Sequence, residues 1–178
     1  MPPTSKLALV TPLAVLAIVA LPAAGAAQYR LPTITAVAKA DSLHDAAEHV
    51  AQTTRRWRDA ASMHRQSATL RSPEDSLGYR CLTVAAHLSF AIKDLAGAQR
   101  DMTDAAAQAI GRGDVQSAAQ AYTDAAWVAR ERNHKSEVWE LGRQAEVLAT
   151  SPLLSPGQRR DILHRFVRSE REYAEARQ

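Results

Sequence analysis

A pattern of small and bulky residues recurs along this chain about every 40 residues and constrains its fold more than any other feature. The two clearest copies are Leu82, Ala85, Ala86, Ser89, Ala98, Met102 and Ala105, and Tyr122, Ala125, Ala126, Ala129, Val138, Gly142 and Ala145. A more degenerate copy, which we call the worn first copy, precedes them: His44, Ala47, Glu48, Ala51, Ala60, His64 and Ser67. A repeated unit of two helices is typical of a helical solenoid, and such arrays usually bind other proteins.

The composition favours helix and excludes several function classes. Alanine dominates after the leading segment, where five of the eight prolines lie, and alanine loses no rotamer freedom in a helix. Cys81 is the only cysteine, so the chain forms no intramolecular disulfide and helix packing must hold it together. The 22 Lys and Arg nearly balance the 19 Asp and Glu. The sequence does not contain the cluster of basic residues that binding to nucleic acid requires, so we expect no nucleic-acid partner.

The first 27 residues are predicted to be a secretory signal peptide. Lys6 precedes an almost wholly apolar run from Leu7 to Leu21, and small residues follow at Ala24 to Ala27, where a signal peptidase cuts. The alternative is an uncleaved anchor, but a run of about 15 residues that contains Pro12 is shorter than the ~20 that span a bilayer. We therefore expect a periplasmic or secreted protein that is free of the membrane after cleavage.

Three further segments follow in the predicted organisation. Residues 28–40 are expected to form a flexible lead, and Asp41 to cap the first helix. The array is expected over 41–152, with helices at about 42–53, 56–70, 74–92 and 95–110. A fifth helix is expected to be capped by Asp114 and to reach about residue 130, and a sixth to run from the turn at Asn133-His134 to about residue 150. The last segment, 153–178, is predicted to be a capping helix whose apolar stripe contains Ile162, Leu163, Phe166, Val167 and Tyr173.

The repeated pattern resembles the tetratricopeptide repeat family. Tyr122, Ala125, Ala126 and Ala129 match the first helix of its unit, Ala98, Met102 and Ala105 match the second, and Asp94 and Asn133-His134 stand at its turns. The resemblance implies a right-handed solenoid of about three repeats that binds an extended peptide or a partner helix on a concave face. The family's Trp and Leu-Gly signature is absent, and the repeat is longer than the usual ~34 residues. A plain alanine-rich bundle is the alternative fold.

The resemblance also implies which side chains line the concave face. His49, His87 and Trp127 occupy equivalent places in successive units, where they could form a ladder of rings for a proline-rich or aromatic ligand. The predicted ligand-binding set is His49, Arg80, Thr83, His87, Thr123, Trp127 and Arg130, with Ser42, Asp45 and Gln120 beside it. The alternative is that these residues form an ordinary helix surface. Trp57 and Trp139 lie beside packing positions and are predicted to pack in the core.

Two other function classes stay open at this point. One is a structural, self-associating bundle of the cell envelope, which would make the protein a homo-oligomer. The other is a small metal-dependent enzyme, because His44, Asp45, Glu48 and His49 form two pairs at i,i+4 spacing, although on two helix faces. No nucleophile, phosphate-binding or haem motif occurs in the sequence. We therefore expect a non-enzymatic binding module without a cofactor.

Overall fold

The computed structural model describes the backbone of residues 33–175 and the side chains of residues 33–165. Over that range the chain is all helical, which confirms the predicted fold class. The helices are α1 (Ile34–Thr53), α2 (Trp57–Thr69), α3 (Ser76–Ala91), α4 (Leu95–Gly111), α5 (Val115–Glu131), α6 (Lys135–Ala149) and α7 (Pro156–Glu175). The predicted signal peptide lies outside the described residues. Within them, no helix is long and apolar enough to cross a membrane.

Successive helices pack against each other along the chain, and alternate helices also touch. The Tyr79 hydroxyl of α3 donates to the Ser117 carbonyl of α5 at 3.4 Å. The Arg65 side chain of α2 donates to the Asp101 carboxylate of α4 at 2.8 Å. The array is therefore a helical repeat solenoid, in which α1, α3 and α5 form one layer and α2, α4 and α6 the other.

Alanine makes most of the contacts between these helices. The predicted packing positions Ala85, Ala86, Ser89, Ala98, Met102, Ala105, Ala125, Ala126, Ala129 and Ala145 are all buried. Small side chains let two helices approach to the short end of the usual ~8–10 Å range of axis separations. The half-buried ring of Tyr122 packs beside them against two alanine clusters. The repeat spacing identified in the sequence is thus the spacing of helix contacts.

Four turns between helices share one geometry. In each, a residue with positive φ precedes the N-cap of the next helix: Arg55 and Arg56, Lys93 and Asp94, Gly113 and Asp114, and Asn133 and His134. The carboxylates of Asp94 and Asp114 each accept a hydrogen bond from a first-turn amide at 3.0 Å. The left-handed residues of the last three turns lie 20 residues apart, at 93, 113 and 133. Each of these helices with its turn therefore spans 20 residues, and two of them make one 40-residue repeat.

The predicted flexible lead is wrong over residues 34–40, and the predicted cap of the first helix is wrong; residues 28–32 of that lead lie outside the described residues. Helix α1 begins at Ile34, seven residues before the predicted cap at position 41, and the Thr33 hydroxyl accepts from the Ala36 amide at 3.2 Å. Asp41 instead lies within the helix and accepts a hydrogen bond from Arg71 Nη2 at 2.6 Å. Asp41 therefore pairs with a residue 30 positions later in the chain, although its local sequence predicts a helix cap.

Helix α7 closes the array against α5 and α6. Ile162 is buried with Leu154 and Ala149, as expected of a capping helix. Ser155 is its N-cap, since its Oγ accepts from the Gln158 amide at 3.2 Å and the Gln158 side chain accepts from the Ser155 amide at 2.8 Å. The later residues of the predicted apolar stripe lie beyond the described side chains.

Candidate functional site

The candidate site is the exposed surface of α3 and α5 on the layer formed by α1, α3 and α5, which we call the odd-helix face. Arg80 and His87 are exposed on α3, and His49 is exposed on α1. Thr83 is half-buried between Arg80 and His87, and its hydroxyl donates to the Arg80 carbonyl at 2.9 Å. Four of the predicted ligand-binding residues therefore stand where a partner could reach them.

An aromatic pair lies on this face between the two helices. The rings of Phe90 on α3 and Trp127 on α5 have centroids 4.7 Å apart, with their planes tilted by 39°. Both side chains are half-buried, and Lys93 Nζ lies 5.5 Å from the centre of the Phe90 ring. Two aromatic rings in contact attract each other, and a nearby cation is attracted to the face of a ring. Because the rings are only half-buried, part of their apolar surface stays available to a partner. This pair places apolar ring surface on the odd-helix face between α3 and α5.

The predicted ring ladder is replaced by this pair. Trp127 contacts Phe90 of the preceding repeat, and the structure gives no ring contact between His87 and Trp127 or between His49 and His87 among the described side chains. Phe90 was missed because the pattern was aligned on positions equivalent to His87. It lies three residues after His87, so both belong to the same side of α3 and its helical spacing could have identified it.

Two members of the predicted set are less accessible than expected. Thr123 is buried, and its hydroxyl donates to the Ala119 carbonyl of its own helix at 2.9 Å. It is therefore a structural residue of α5 and not a lining residue of an open groove. Arg130 is half-buried, with Nη2 3.5 Å from the Glu131 carboxylate. Its guanidinium already has a carboxylate partner.

Asp124 gives the odd-helix face an unusual carboxyl group. It is half-buried on α5, and burial raises its pKa, while Arg165 on α7 and His87 on α3 act electrostatically in the opposite direction. These two side chains come from the helices on either side of α5. The odd-helix face thus combines an aromatic pair with a carboxyl group that interacts with basic side chains of two neighbouring helices.

The four residues proposed as a metal set do not share one site. Asp45 and His49 are exposed on α1, whereas Glu48 turns towards α2 and its Oε1 lies 3.8 Å from His64 Nε2. His44 is half-buried and its ring faces the His64 ring, with centroids 5.3 Å apart. The two i,i+4 pairs therefore divide between different surfaces of the helix.

The core prediction for the two tryptophans fails at Trp139. Its side chain is 64% exposed on α6, in the layer opposite the odd-helix face, while Trp57 is half-buried. The neighbouring Val138 takes the packing position, so Trp139 points about 100° further round the helix. An exposed tryptophan in the opposite layer provides a matched control for experiments on the aromatic pair.

Comparison of the chain with protein-family models, with curated proteins and with solved structures finds no match.

Proposed function

We propose that this protein is an exported, non-enzymatic binding module, similar to tetratricopeptide repeat proteins, that takes a peptide or a partner helix on its odd-helix face. The Phe90–Trp127 pair is the observation that carries the proposal. Interfaces draw most of their affinity from a few aromatic and arginine side chains near the centre of the contact. Both rings are half-buried, and they lie where two successive repeats meet.

The surroundings of the pair indicate what kind of segment it would bind. Arg80, His87 and Lys93 are exposed on α3 and its turn, Lys93 lies over the Phe90 ring, and Asp124 interacts electrostatically with His87 from α5. Such a surface suits a peptide that places an aromatic or proline side chain against the rings and a carboxylate near the cations. We therefore propose a linear segment with an aromatic or proline anchor next to acidic residues.

The test selects a ligand from a display library of random linear peptides and measures its affinity by the fluorescence change of the protein. Trp127→Ala and Phe90→Ala should each weaken binding by about 10- to 100-fold, the loss expected of an interface hot spot. Trp139→Ala, which removes an exposed tryptophan from the other layer, should bind as the wild type does. Equal binding by all three variants, or loss only with Trp139→Ala, would exclude the odd-helix face.

One observation favours a second candidate function, self-association of the chain. Trp139 and Val147 are 64% and 59% exposed on α6, and large exposed apolar residues in a folded protein often mark contact surfaces. A homo-oligomer that uses α6 should sediment faster than a monomer, and Trp139→Glu should return it to the monomeric value. Sedimentation of the wild type as a monomer at all concentrations would eliminate this candidate and leave peptide binding alone.

A further inference from the structure

Three potential metal ligands converge between the first three helices, away from the odd-helix face. They are His44 on α1, His64 on α2 and Cys81 on α3. One ligand atom from each lies within 4.8 Å of the other two, although the residues come from positions far apart in the sequence. His64 and Cys81 are fully buried and His44 is half-buried. The fold has therefore gathered two imidazoles and a thiol in its interior.

His64 lacks the hydrogen bonds that a buried imidazole normally makes. Neither Nδ1 nor Nε2 has a partner, although the side chain is wholly shielded from solvent. Leaving a buried polar group unsatisfied costs about 1–3 kcal/mol, and native interiors seldom contain such groups. A buried histidine without hydrogen-bond partners, next to another histidine and a cysteine, indicates that the cluster can bind a ligand at its centre.

Two distances within the cluster are close to those between ligands of a tetrahedral zinc ion. Zinc binds a cysteine sulfur at ~2.3 Å and a histidine nitrogen at ~2.0–2.1 Å, so two such ligands at a tetrahedral angle lie ~3.5 Å apart. Cys81 Sγ and His44 Nδ1 are 3.5 Å apart. Glu48, one helical turn after His44, places Oε1 3.8 Å from His64 Nε2, and a carboxylate oxygen is a regular fourth ligand of zinc.

We propose that His44, His64 and Cys81 bind a zinc ion, with Glu48 as its fourth ligand. On binding, the Cys81 thiol loses its proton to solvent and the sulfur donates a lone pair to the metal, so that the thiolate and the Glu48 carboxylate balance the charge of Zn²⁺. In the metal-free protein the Cys81 thiol donates to the Ser67 hydroxyl at 3.6 Å, and Arg71 donates to the same hydroxyl at 3.3 Å, which positions Cys81 beside the cluster. The ion ties α1, α2 and α3 together and fixes how the first helix pair stacks on the second.

A metal-free account of the cluster explains less. The Cys81 thiol could donate a hydrogen bond to His44 Nδ1 across the observed 3.5 Å. That bond leaves both nitrogens of His64 without a hydrogen-bond partner. A bound ion gives one of these nitrogens a partner and uses all four side chains. The proposal is independent of the peptide-binding function, because none of these residues belongs to the odd-helix face.

The first experiment uses untagged protein, stripped with chelator and titrated with Co²⁺, which reports its ligands through its absorption spectrum. One equivalent of cobalt should give the intense visible bands of a tetrahedral site and a thiolate-to-cobalt charge-transfer band in the near ultraviolet. Because Cys81 is the only cysteine in the chain, that band can come only from Cys81. Absence of the charge-transfer band at saturating cobalt would overturn the proposal.

Variants then measure the contribution of each ligand by competition with a zinc-binding dye. Cys81→Ser and His64→Gln should weaken zinc binding by at least about 100-fold, more than the loss of a residue that only supports a ligand. Glu48→Gln should weaken it less. His49→Gln removes an exposed histidine from the same helix and should retain wild-type affinity.

Circular dichroism of each variant distinguishes loss of the site from loss of the fold. If Cys81→Ser or His64→Gln does not fold, the wild-type cobalt spectrum decides the matter by itself, because its charge-transfer band already identifies the sulfur ligand. Wild-type affinity for zinc in a folded Cys81→Ser variant would contradict the proposal.

Discussion

In the central repeats, α3 to α6, the helices meet mainly through alanine, whereas α1 and α2 bury alanines too but make further contacts through buried polar side chains. Ala85, Ala105 and Ala125 are wholly buried in the first region. In the second, His64 and Ser67 are wholly buried and the Arg71 side chain is nearly so. The same helical unit is therefore packed by two kinds of chemistry in one chain.

The difference separates two ways of setting the distance between helices. Alanine contacts depend on shape alone, so they should be insensitive to pH and metals but intolerant of added volume. Polar contacts depend on direction and charge. Arg71 satisfies both Asp41 and Asp75, at 2.6 and 2.8 Å, and so joins α1 to the start of α3. The first helix pair should respond to its chemical surroundings, and the central repeats to substitutions that change size.

The largest effect is expected from the contact that joins the two regions. Asp101 on α4 is buried and receives three hydrogen bonds from Arg65 on α2, at 2.8, 3.0 and 2.8 Å. Asp101→Ala should lower the free energy of unfolding by about 3 kcal/mol, the lower end for a broken buried ion pair because Arg65 keeps some access to solvent. Urea denaturation followed by circular dichroism measures this loss.

Hydrogen exchange of the same variant tests where the effect lies. Amides of α1 and α2 should lose protection before those of α5 and α6, because the first helix pair loses its link to the array. Asp104→Ala, on an exposed part of α4, should change stability by less than about 0.5 kcal/mol. Equal losses from both substitutions would mean that Asp101 does not join the regions.

The next effect concerns volume in the central repeats. Ala98 is wholly buried where α4 meets its neighbours, so Ala98→Leu should destabilise the protein by about 1–3 kcal/mol through overpacking. Ala91→Leu adds the same volume at an exposed position near the end of α3 and should cost much less. An unchanged thermal unfolding curve for Ala98→Leu would contradict the repeat register described above.

A smaller effect of opposite sign is expected in the first helix pair. With chelator present, His64→Leu should stabilise the protein by about 1 kcal/mol, because it removes two unsatisfied buried nitrogens and retains apolar contact. Zinc should raise the melting temperature of the wild type and leave that of the variant unchanged. A variant less stable than wild type in chelator would show that His64 makes favourable polar contacts without a metal.

The smallest effect is a pH dependence at Asp75. Burial acts to raise the pKa of this carboxyl, but hydrogen bonds from Arg71 and the Leu77 amide outweigh it, and the pKa is lowered overall. A carboxyl with a lowered folded pKa adds stability above its unfolded pKa, and this contribution disappears as pH falls through the folded value. Asp75→Asn should therefore be less stable than wild type at pH 7, with the difference shrinking below about pH 4.

Asparagine is chosen because it still caps α3 and so isolates the loss of charge. The control is Asp94→Asn at the N-cap of α4, where the carboxylate accepts from the Gly97 amide. Chemical denaturation across the pH range gives both curves. A constant difference between wild type and Asp75→Asn at every pH would contradict the role given to the Arg71–Asp75 pair.

The sequence predicts the central repeats well because their packing is local and periodic. The alanines of the repeated pattern are buried as expected, and the start of α4 at Leu95 and the cap at Asp114 agree with prediction. In this region a residue's environment follows from its place in the helix, since each helix packs against its successor in the same way.

Contacts between residues far apart in the sequence limit how well the first helix pair and the odd-helix face can be predicted. Nothing near Asp41 shows that Arg71 will take its carboxylate, and the Phe90–Trp127 contact joins different repeats. The worn first copy did contain a signal, since His44 and His64 stand at packing positions where other repeats have apolar or small residues. Two polar residues at such positions indicate a site between helices.

The equal spacing of the turns at Lys93, Gly113 and Asn133 restricts how this chain can tolerate insertions and deletions. One residue added within α4 or α5 would rotate everything after it by about 100° and separate its alanines from the partner helix. The tight turns offer no slack to absorb such a change. The turn at Arg55 and the longer connections, 70–75 and 150–155, lie outside this spacing. Natural length variation should therefore concentrate at the two longer connections, and engineered insertions should be tolerated best there.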